Sequence, residues 1–298
     1  MSFWGLAKLD EVKPVGSVIS EQQTLSRKHT VRLMECLAGQ RILALTGAGI
    51  STDSGVPDYR GPDSPKRTPM TFQQFVGSAA NRQRYWARNH LGWQYIESRS
   101  PNPGHLALAE LERSGAVAHL ITQNVDLLHT KAGHRTVIDL HGTYRSVVCL
   151  DCGSTTDRKA LAKRLTELNA DFGARTALDG LEVAPDADAI VHAVEHFHVA
   201  ACVACGGILK PDIVFFGESV PRERVEHAYA AVDDATALLV AGSSLTVMSG
   251  LRFVRHAAKQ GKPIVIVNRG ETRGDDLAAL KLNAGCTEVL TTLARLLT

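Results

Sequence analysis

The chain has 298 residues, with 33 Lys and Arg against 31 Asp and Glu, so its formal net charge is only +2. This near balance argues against non-specific nucleic-acid binding, and no apolar run reaches the roughly 18 residues of a membrane span. With 44% hydrophobic and 21% charged residues, the sequence predicts a soluble globular protein of about two domains. The first 14 residues lack an apolar signal segment, so we expect a cytoplasmic location, or the mitochondrial matrix in a eukaryote.

A helix is predicted over residues 20–38, where Ser20 and Gln23 fit a capping box. The apolar run at 41–46 then indicates a buried strand. Similar runs recur at 117–122, 213–216, 237–241 and 263–267, and helical patterns lie between them at 103–113, 221–232 and 249–260. This alternation predicts an α/β fold, a doubly wound parallel-sheet (Rossmann-like) domain over 1–146 and 207–298, with a helical insert at about 62–105.

Two CxxC pairs stand out among the six cysteines: Cys149 with Cys152, and Cys202 with Cys205. Four thiolates on two tight turns suit a tetrahedral Zn²⁺ ion, and each pair is followed by glycine. Disulfides, or another metal or cluster, are the alternatives. Because four cysteines leave no open position for water, the predicted zinc is structural rather than catalytic.

The predicted zinc module, 147–206, interrupts the α/β alternation as a smaller inserted domain. Between its cysteine pairs, residues 158–170 have helical spacing and 171–188 form a loop rich in Gly, Pro and Asp. A solvated loop and a substrate-contacting lid are both open for this segment. We expect no metal ligation by His192, His196 or His198, and structural roles for Cys36 and Cys286.

Small and polar residues follow the predicted strands, at the edge where ligands of such sheets bind. Thr52 replaces the third glycine of a dinucleotide fingerprint, so a simple turn remains an alternative for the first loop. In the next loop Arg60 suits a phosphate. The strand-end set comprises Gly47, Ala48, Gly49, Ile50, Ser51, Asp58, Tyr59, Arg60, Gln123, Asn124, Val125, Asp126, Gly242, Ser243, Ser244, Asn268, Arg269 and Gly270. Their joint position predicts a dinucleotide site.

His141 also follows a short apolar stretch, at 136–140. The ordinary pKa of histidine suits proton transfer near neutral pH. The sequence has 12 histidines, however, and the residues alone do not distinguish His141 from His129 or His105 as a general base.

Several motifs occur in the order found in the sirtuins: GAGIS with SGVPDYRG, TQNVD, HG, the paired CxxC, KPDIVFFGE, GSSL and NRG. From about residue 43 to 286 the chain resembles this family of NAD⁺-dependent protein deacylases. Segments 84–89, 101–105, 129–133 and 272–277 resemble the class II branch, which includes the mitochondrial lipoamidase-type sirtuin.

The resemblance implies a role for each matching residue. Ala48, Ile50, Asn124 and Asp126 would line the nicotinamide pocket, Tyr59 would shield the ribose, and Cys286 would lie near the adenosine half. His141 would be the general base, with Asn124 and Asp126 as the other catalytic residues. The residues expected to flank an acyl-lysine peptide are Val214, Phe215, Phe216, Gly217, Glu218, Val247 and Met248.

The reaction that the resemblance implies uses NAD⁺ as co-substrate and one structural Zn²⁺. The acyl group passes from lysine to ADP-ribose, and nicotinamide and O-acyl-ADP-ribose are released. We expect acyl-lysine proteins as partners, no sequence-specific nucleic-acid or membrane binding, and a monomer. Protein ADP-ribosyl transfer and lipoamidase or other long or acidic deacylase activity are the alternatives within the family. A dehydrogenase and a zinc-ribbon binding module without activity are the alternatives outside it.

The pair Tyr85 and Arg88 resembles one by which another sirtuin branch selects succinyl and malonyl lysine. A phenol and a guanidinium suit an acyl carboxylate. The alternative is that Tyr85 packs in the core and Arg88 lies exposed on a helix.

Overall fold

The computed structural model describes residues 25–61, 68–174, 183–191 and 194–298. The predicted capping box at Ser20 and Gln23 lies outside the described residues, as do residues 62–67 of the helical insert, residues 175–182 of the predicted loop, and His192. The first described helix, α1, spans Arg27–Leu37 and is capped by Ser26, whose hydroxyl accepts from His29 N. Among the described residues, no helix is long and apolar enough to cross a membrane.

A six-stranded parallel sheet carries the larger part of the fold, in the order β3-β2-β1-β7-β8-β9. Its strands are β1 (Ile42–Thr46), β2 (Val117–Thr122), β3 (Val137–Asp139), β7 (Ala237–Ala241), β8 (Ile264–Val267) and β9 (Leu280–Leu282). The predicted runs at 41–46, 117–122, 237–241 and 263–267 are confirmed as strands, whereas β9 was not anticipated. The strand order reverses direction between β1 and β7, which is where ligands bind in doubly wound sheets.

Helices cover both faces of this sheet, as the prediction of a doubly wound fold requires. On one face α1, α4 (Pro103–Arg113) and α10 (Cys286–Leu297) pack on side chains such as Ile42, Ala44 and Leu239. On the other, α8 (Arg222–Asp234) and α9 (Met248–Lys259) pack on Leu43, Leu45 and Leu238. Successive residues of the buried strands point to opposite faces, so the nearly continuous apolar runs reflect burial on both sides.

A second, smaller unit is built on a three-stranded antiparallel sheet in the order β5-β4-β6, with β4 at Gly142–Cys149, β5 at Thr155–Asp157 and β6 at Leu209–Ile213. The prediction that 213–216 adds to the parallel sheet is therefore wrong. The strand there lies at Leu209–Ile213, shortly after the second cysteine pair. It pairs antiparallel with β4, which ends at the first cysteine pair, so the two strands belong to the cysteine-rich unit. The predicted module boundaries, 147 and 206, fall inside β4 and just before β6.

The small sheet shares one core with the helical insert. Helices α2 (Phe72–Gly77) and α3 (Ala79–Glu97) contribute Phe75, Tyr85 and Trp86. Helix α6 (Arg158–Leu168) contributes Leu161 and Leu165 to the same core. The predicted helix at 158–170 is confirmed up to residue 168. The predicted loop begins instead with the short helix α7, Ala170–Ala174. The remaining helix, α5, spans Leu128–Lys131.

Candidate active site

A cavity of about 940 Å³ lies between the carboxyl ends of the parallel strands and the small unit. That volume is at the upper end of the range for small-molecule sites. The predicted cofactor and base residues that line it are Gly47, Ala48, Gly49, Asp58, Tyr59, Arg60, Gln123, Asn124, Val125, Asp126, His141, Gly242, Ser243, Ser244, Asn268, Arg269 and Gly270. The predicted peptide residues that line it are Val214, Phe215, Phe216, Gly217, Glu218, Val247 and Met248.

Three predicted cofactor residues do not line this cavity. Ile50 is buried in the core beneath the sheet. Ser51 is fully buried behind the wall of the cavity, where its hydroxyl donates to Asp126 Oδ2 at 2.7 Å. Cys286 is buried at the start of α10. Ile50 and Ser51 therefore support the wall from behind rather than facing a ligand.

The loops after β1 and β7 touch backbone to backbone at the reversal of strand order. Gly47 N donates to Ala241 O at 3.1 Å, and Gly49 N donates to Gly242 O at 2.8 Å. A Cβ at Gly49 would lie 2.9 Å from Gly242 Cα. Gly242 itself has a φ of +68°, and its Cβ would lie 2.3 Å from Ile50 N. The two loops can approach this closely because Gly49 and Gly242 have no side chain. The alternative for the first loop, a simple turn after β1, would not require glycine at these positions.

A hydrogen-bonded set of polar groups fixes the end of the cavity near β1 and β2. Asn124 Nδ2 donates to Gly47 O and to Ser51 Oγ, both at 3.1 Å. Asp126 is 5% exposed and accepts from Ser51 Oγ and from Leu128 N. Burial raises the pKa of Asp126 above its ordinary value, although the hydrogen bonds oppose that rise. The two side chains are thus held in single orientations at the cavity wall.

His141 is positioned by two hydrogen bonds, one to each ring nitrogen. Nδ1 lies 2.8 Å from Gln123 O, which can only accept, so Nδ1 carries the proton. Nε2 therefore bears the lone pair and accepts from Ser249 Oγ at 2.8 Å. Burial lowers the pKa of His141 below its ordinary value, although the hydrogen bond that Nδ1 donates to Gln123 O opposes that change. The ring is accordingly neutral near pH 7 and has the tautomer that a general base needs.

The other two histidine candidates lie behind the wall of the cavity. His129 Nε2 is 2.9 Å from Thr46 Oγ1, and His105 Nε2 is 3.4 Å from Ser51 Oγ. Both rings are buried, and burial lowers the pKa of each. Of the histidines that the structure describes, His141 is the one that lines the cavity. Ser249, which also lines it, was missed because serine early in a helix is common.

The segment that is predicted to contact a peptide, residues 214–218, follows β6 directly. Val214 N donates to His141 O at 2.7 Å, which ties this segment to the histidine. Phe215 N donates to Glu218 Oε2 at 2.8 Å, and Lys210 Nζ lies 3.1 Å from the same oxygen. Glu218 thus acts on its own loop rather than pointing free into the cavity. Val247 and Met248 line the cavity at the start of α9, and Met248 is 45% exposed.

Four further residues at one end of the cavity were not predicted as wall residues of a nucleotide or peptide site: Val56, Met70, Pro185 and Asp186. Tyr85 also lines this end and is buried against Phe75 and Phe215, with ring centroids 5.3 and 5.1 Å away. Arg88 is not exposed on a helix, as one alternative had it, because it pairs with Asp188. The acidic residues of the predicted loop at 171–188 were the one sequence feature that could have suggested a partner for Arg88.

The four CxxC cysteines come together as the spacing predicted, with their Sγ atoms all within 4.8 Å of one another. Cys149 Sγ is 3.5 Å from Cys205 Sγ, and Cys152 Sγ is 3.9 Å from Cys202 Sγ. A tetrahedral Zn²⁺ with four thiolates at ~2.3 Å requires separations of about 3.8 Å, whereas a disulfide requires ~2.0 Å. The donor set therefore fits zinc. His196 and His198 are exposed and lie outside this cluster.

Comparison with known proteins gives a consistent result. The family model described as "Sir2 family" matches residues 47–249. "NAD-dependent protein deacetylase 1" of Mycobacterium avium is 61% identical over 272 residues, which cover 91% of this chain and 96% of that protein. "NAD-dependent protein lipoamidase sirtuin-4, mitochondrial" of Homo sapiens is 49% identical and covers 84% of this chain and 81% of its own length. The solved structure "Sir2-p53 peptide-NAD+" superposes with a TM-score of 0.70 at 30% identity, over 88% of this chain and 96% of that one.

Proposed function

The chain belongs to the Sir2 family, and we propose that it is an NAD⁺-dependent protein lysine deacylase in which His141 is the general base. Acyl-lysine, NAD⁺ and water would give lysine, nicotinamide and O-acyl-ADP-ribose. The observation that carries this proposal is the neutral His141, whose Nε2 lone pair lies in a cavity that joins the glycine-rich strand ends to the 214–218 segment. A base there lies within reach of both substrates.

NAD⁺ supplies the ADP-ribosyl group that accepts the acyl chain. The fit rests on the lining of the cavity: Gly47, Gly49, Asn124 and Ser243 lie together at the switch point of the sheet, where glycines let the backbone approach a dinucleotide closely. Arg60 is exposed at the rim, where a guanidinium would meet phosphate. Asn268, Arg269 and Gly270 after β8 would hold the adenosine half.

Asn124 and Asp126 would hold the nicotinamide end. Their side chains are fixed through Ser51, so they meet a ligand with little further loss of conformational freedom. The hydrogen bonds from Ser51 and Leu128 also offset part of the cost of burying the Asp126 carboxylate. Ser51 would act as a positioning residue, since it touches Asp126 and Asn124 but does not line the cavity.

The peptide would lie between 214–218 and the start of α9, adding as a strand there. The half-buried ring of Phe216 lies edge-on to the ring of Tyr59 at 5.9 Å, and the ring of Phe215 is buried against Tyr85. An acyl-lysine that passes these rings would present its carbonyl to the region of His141. The four thiolates of Cys149, Cys152, Cys202 and Cys205 would hold Zn²⁺ as a structural ion.

Lipoyl-lysine is a second candidate substrate. It is favoured by the 49% identity with a relative that is named a lipoamidase. A lipoyl group is long and uncharged, and Val56, Met70 and Tyr85 give one end of the cavity apolar surface.

The test is mass spectrometry of acetyl-lysine and lipoyl-lysine peptides incubated with NAD⁺, for wild type and His141→Ala. We expect deacylated peptide, nicotinamide and O-acyl-ADP-ribose in equal amounts, and a loss of at least about 100-fold in kcat/KM for the variant. His196→Gln, an exposed histidine outside the cavity, is the matched control. Peptide turnover that survives His141→Ala would contradict the role of the base. Protein-bound ADP-ribose, or NADH absorbance without nicotinamide release, would point to ADP-ribosyl transfer or a dehydrogenase instead.

A further inference from the structure

One end of the cavity is closed by a segment that comes from between the two cysteine pairs. Pro185, Asp186 and Asp188 line the cavity together with Tyr59 and Tyr85. Ala187 points the other way and is fully buried against α3, where a Cβ at Gly92 would lie only 2.1 Å from Ala187 O. Two carboxylates therefore face the cavity from one short stretch of chain.

Several contacts from other elements hold this segment in place. The hydroxyl of Tyr144, on β4, donates to the main-chain oxygen of Asp186. Arg88 Nε, on α3, donates to Ala189 O at 2.6 Å. Tyr144 is itself fixed by Asn89 Nδ2 at 3.0 Å. The position of the carboxylates is thus set by the core of the small unit.

The end that these residues close is the one an acyl chain would reach. Phe215 belongs to the proposed peptide segment, and its ring lies 5.1 Å from that of Tyr85. Phe216 lies 5.9 Å from Tyr59, whose phenol donates a hydrogen bond to the Asp186 carboxylate. A lysine side chain that enters between Phe216 and Tyr59 would direct its acyl group toward Asp186.

The guanidinium of Arg88 is already occupied. Its Nε lies 2.9 Å from Asp188 Oδ1, and the two side chains are only 25% and 19% exposed. Arg88 is not among the residues that line the cavity. It therefore offers no positive charge to an acyl carboxylate. Because Arg88 pairs with Asp188, the negative charge that this segment presents to the cavity is that of Asp186.

Asp186 retains an acceptor that nothing satisfies. Its Oδ1 is buried and has no hydrogen-bond partner within the residues that the structure describes. The carboxylate as a whole also accepts from the main-chain N–H groups of Asp186 and Asp188, and the surrounding side-chain groups are the phenols of Tyr59 and Tyr144 and the carboxylate of Asp188. A buried acceptor without a donor is unfavourable, so a ligand that brings a hydroxyl or N–H group to this point would gain from it.

We propose that this pocket selects acyl groups that end in a hydrogen-bond donor and rejects those that end in a carboxylate, with Asp186 as the determining residue. The inference rests on the proposed deacylase function and specifies its substrate class. Asp188 contributes by pairing with Arg88, which keeps the guanidinium turned away from the acyl chain.

The experiment compares acyl groups of nearly equal length on one lysine peptide: pentanoyl, 4-hydroxybutanoyl and succinyl, with acetyl as reference. At pH 8, wild type should deacylate the 4-hydroxybutanoyl peptide with a kcat/KM at least about tenfold above the succinyl peptide. In Asp186→Asn the succinyl rate, divided by the acetyl rate, should rise about tenfold because the repelling charge is gone. Wild type should also prefer the 4-hydroxybutanoyl peptide to the pentanoyl peptide. In Asp186→Ala this preference should disappear.

Asp188→Asn provides a second variant, since it releases Arg88 and should also raise the succinyl-to-acetyl ratio. The control is Glu195→Gln, which removes an exposed acid from the same inserted stretch but outside the cavity, and should leave every ratio unchanged. A wild-type preference for succinyl over 4-hydroxybutanoyl would overturn the inference, as would unchanged ratios in Asp186→Asn. Absence of acetyl turnover in wild type would instead overturn the proposed function itself.

Discussion

Nε2 of His141 lies 2.8 Å from Oγ of Ser249, the second residue of α9, while Nδ1 is held by Gln123 O on the opposite side of the ring. The serine therefore donates to the lone pair that a substrate hydroxyl would use. This bond joins the two halves of the chain across the cavity, 108 residues apart in sequence. The bond fixes the orientation of the imidazole ring. A substrate hydroxyl would have to replace Ser249 as the donor to Nε2.

Replacing this serine, Ser249→Ala, should move the acidic limb of the kcat/KM profile. A hydrogen bond donated to Nε2 favours the neutral ring, so its loss favours protonation and raises the pKa of His141 toward its ordinary value. We expect the limb to shift to higher pH by a fraction of a unit, with kcat/KM above pH 8 changed by less than about tenfold. A profile that only falls in height, without a shift, would mean that Ser249 does not act through the ring nitrogen. Ser249→Thr, which keeps the hydroxyl, should retain the wild-type profile.

The purified protein should contain about one zinc per chain by elemental analysis. Removal of the metal by a strong chelator should abolish activity and the cooperative melting of the small unit, because four uncompensated thiols then crowd one site between β4 and β6. Cys202→Ser should bind less than about 0.1 equivalent of zinc and lose activity in parallel. The matched control is Cys36→Ser on α1, outside the cluster, which should retain the metal and the rate. An active, metal-free wild-type protein would exclude a structural zinc.

The buried ring of His90 should make folding sensitive to acid. Burial, with a contribution from Arg158, lowers the pKa of His90 to about 4, against an ordinary value of about 6.5. The unfolded chain thus binds this proton first, and the stability contributed by His90 is complete above pH 6.5 and is lost as the pH falls toward 4.

The measurement is the free energy of unfolding in urea from pH 7.5 to 5, for wild type and His90→Gln. Wild type should lose stability relative to the variant by up to about 1.4 kcal/mol per pH unit below pH 6.5. His196→Gln, at an exposed position, controls for removal of an imidazole. A difference between wild type and His90→Gln that is constant with pH would contradict the buried neutral ring.

Gly242→Ala tests the contact between the two glycine loops. The φ of +68° costs any L side chain about 1–2 kcal/mol, and the new Cβ would also lie 2.3 Å from Ile50 N. Gly261→Ala separates these effects, since Gly261 has a φ of +69° with nothing within 4 Å of its Cβ. We expect Gly261→Ala to cost about 1–2 kcal/mol of stability at full activity. Gly242→Ala should lower the free energy of unfolding by more than this and should also lower the affinity for NAD⁺. Equal effects of the two changes on the free energy of unfolding would contradict the close contact between the loops.

Local sequence patterns were sufficient for four of the six strands of the parallel sheet and for the four cysteines whose cluster fits zinc. Apolar runs at 41–46 and 237–241 mark strands because both faces of those strands are covered, and a helix bounded by Pro103 and Gly115 needs only its own caps to be recognised. The CxxC spacing works in the same way, since each pair forms its knuckle locally. These features depend on interactions within a few residues of chain.

Features that depend on contacts between distant segments were decided only by the tertiary structure. The apolar run at 213–216 was predicted as one more strand of the parallel sheet, whereas the strand lies at 209–213 and pairs with β4 in the antiparallel sheet. Three histidines were equal candidates for the base until the fold buried His105 and His129 behind the wall and left His141 in the cavity. Arg88 and Asp188 are 100 residues apart, and no local pattern could show that each neutralises the other. The sequence by itself thus determined the fold class and the four cysteines whose cluster fits zinc, whereas the protonation of His141 and the pairing of Arg88 with Asp188 follow from burial and from contacts between distant segments.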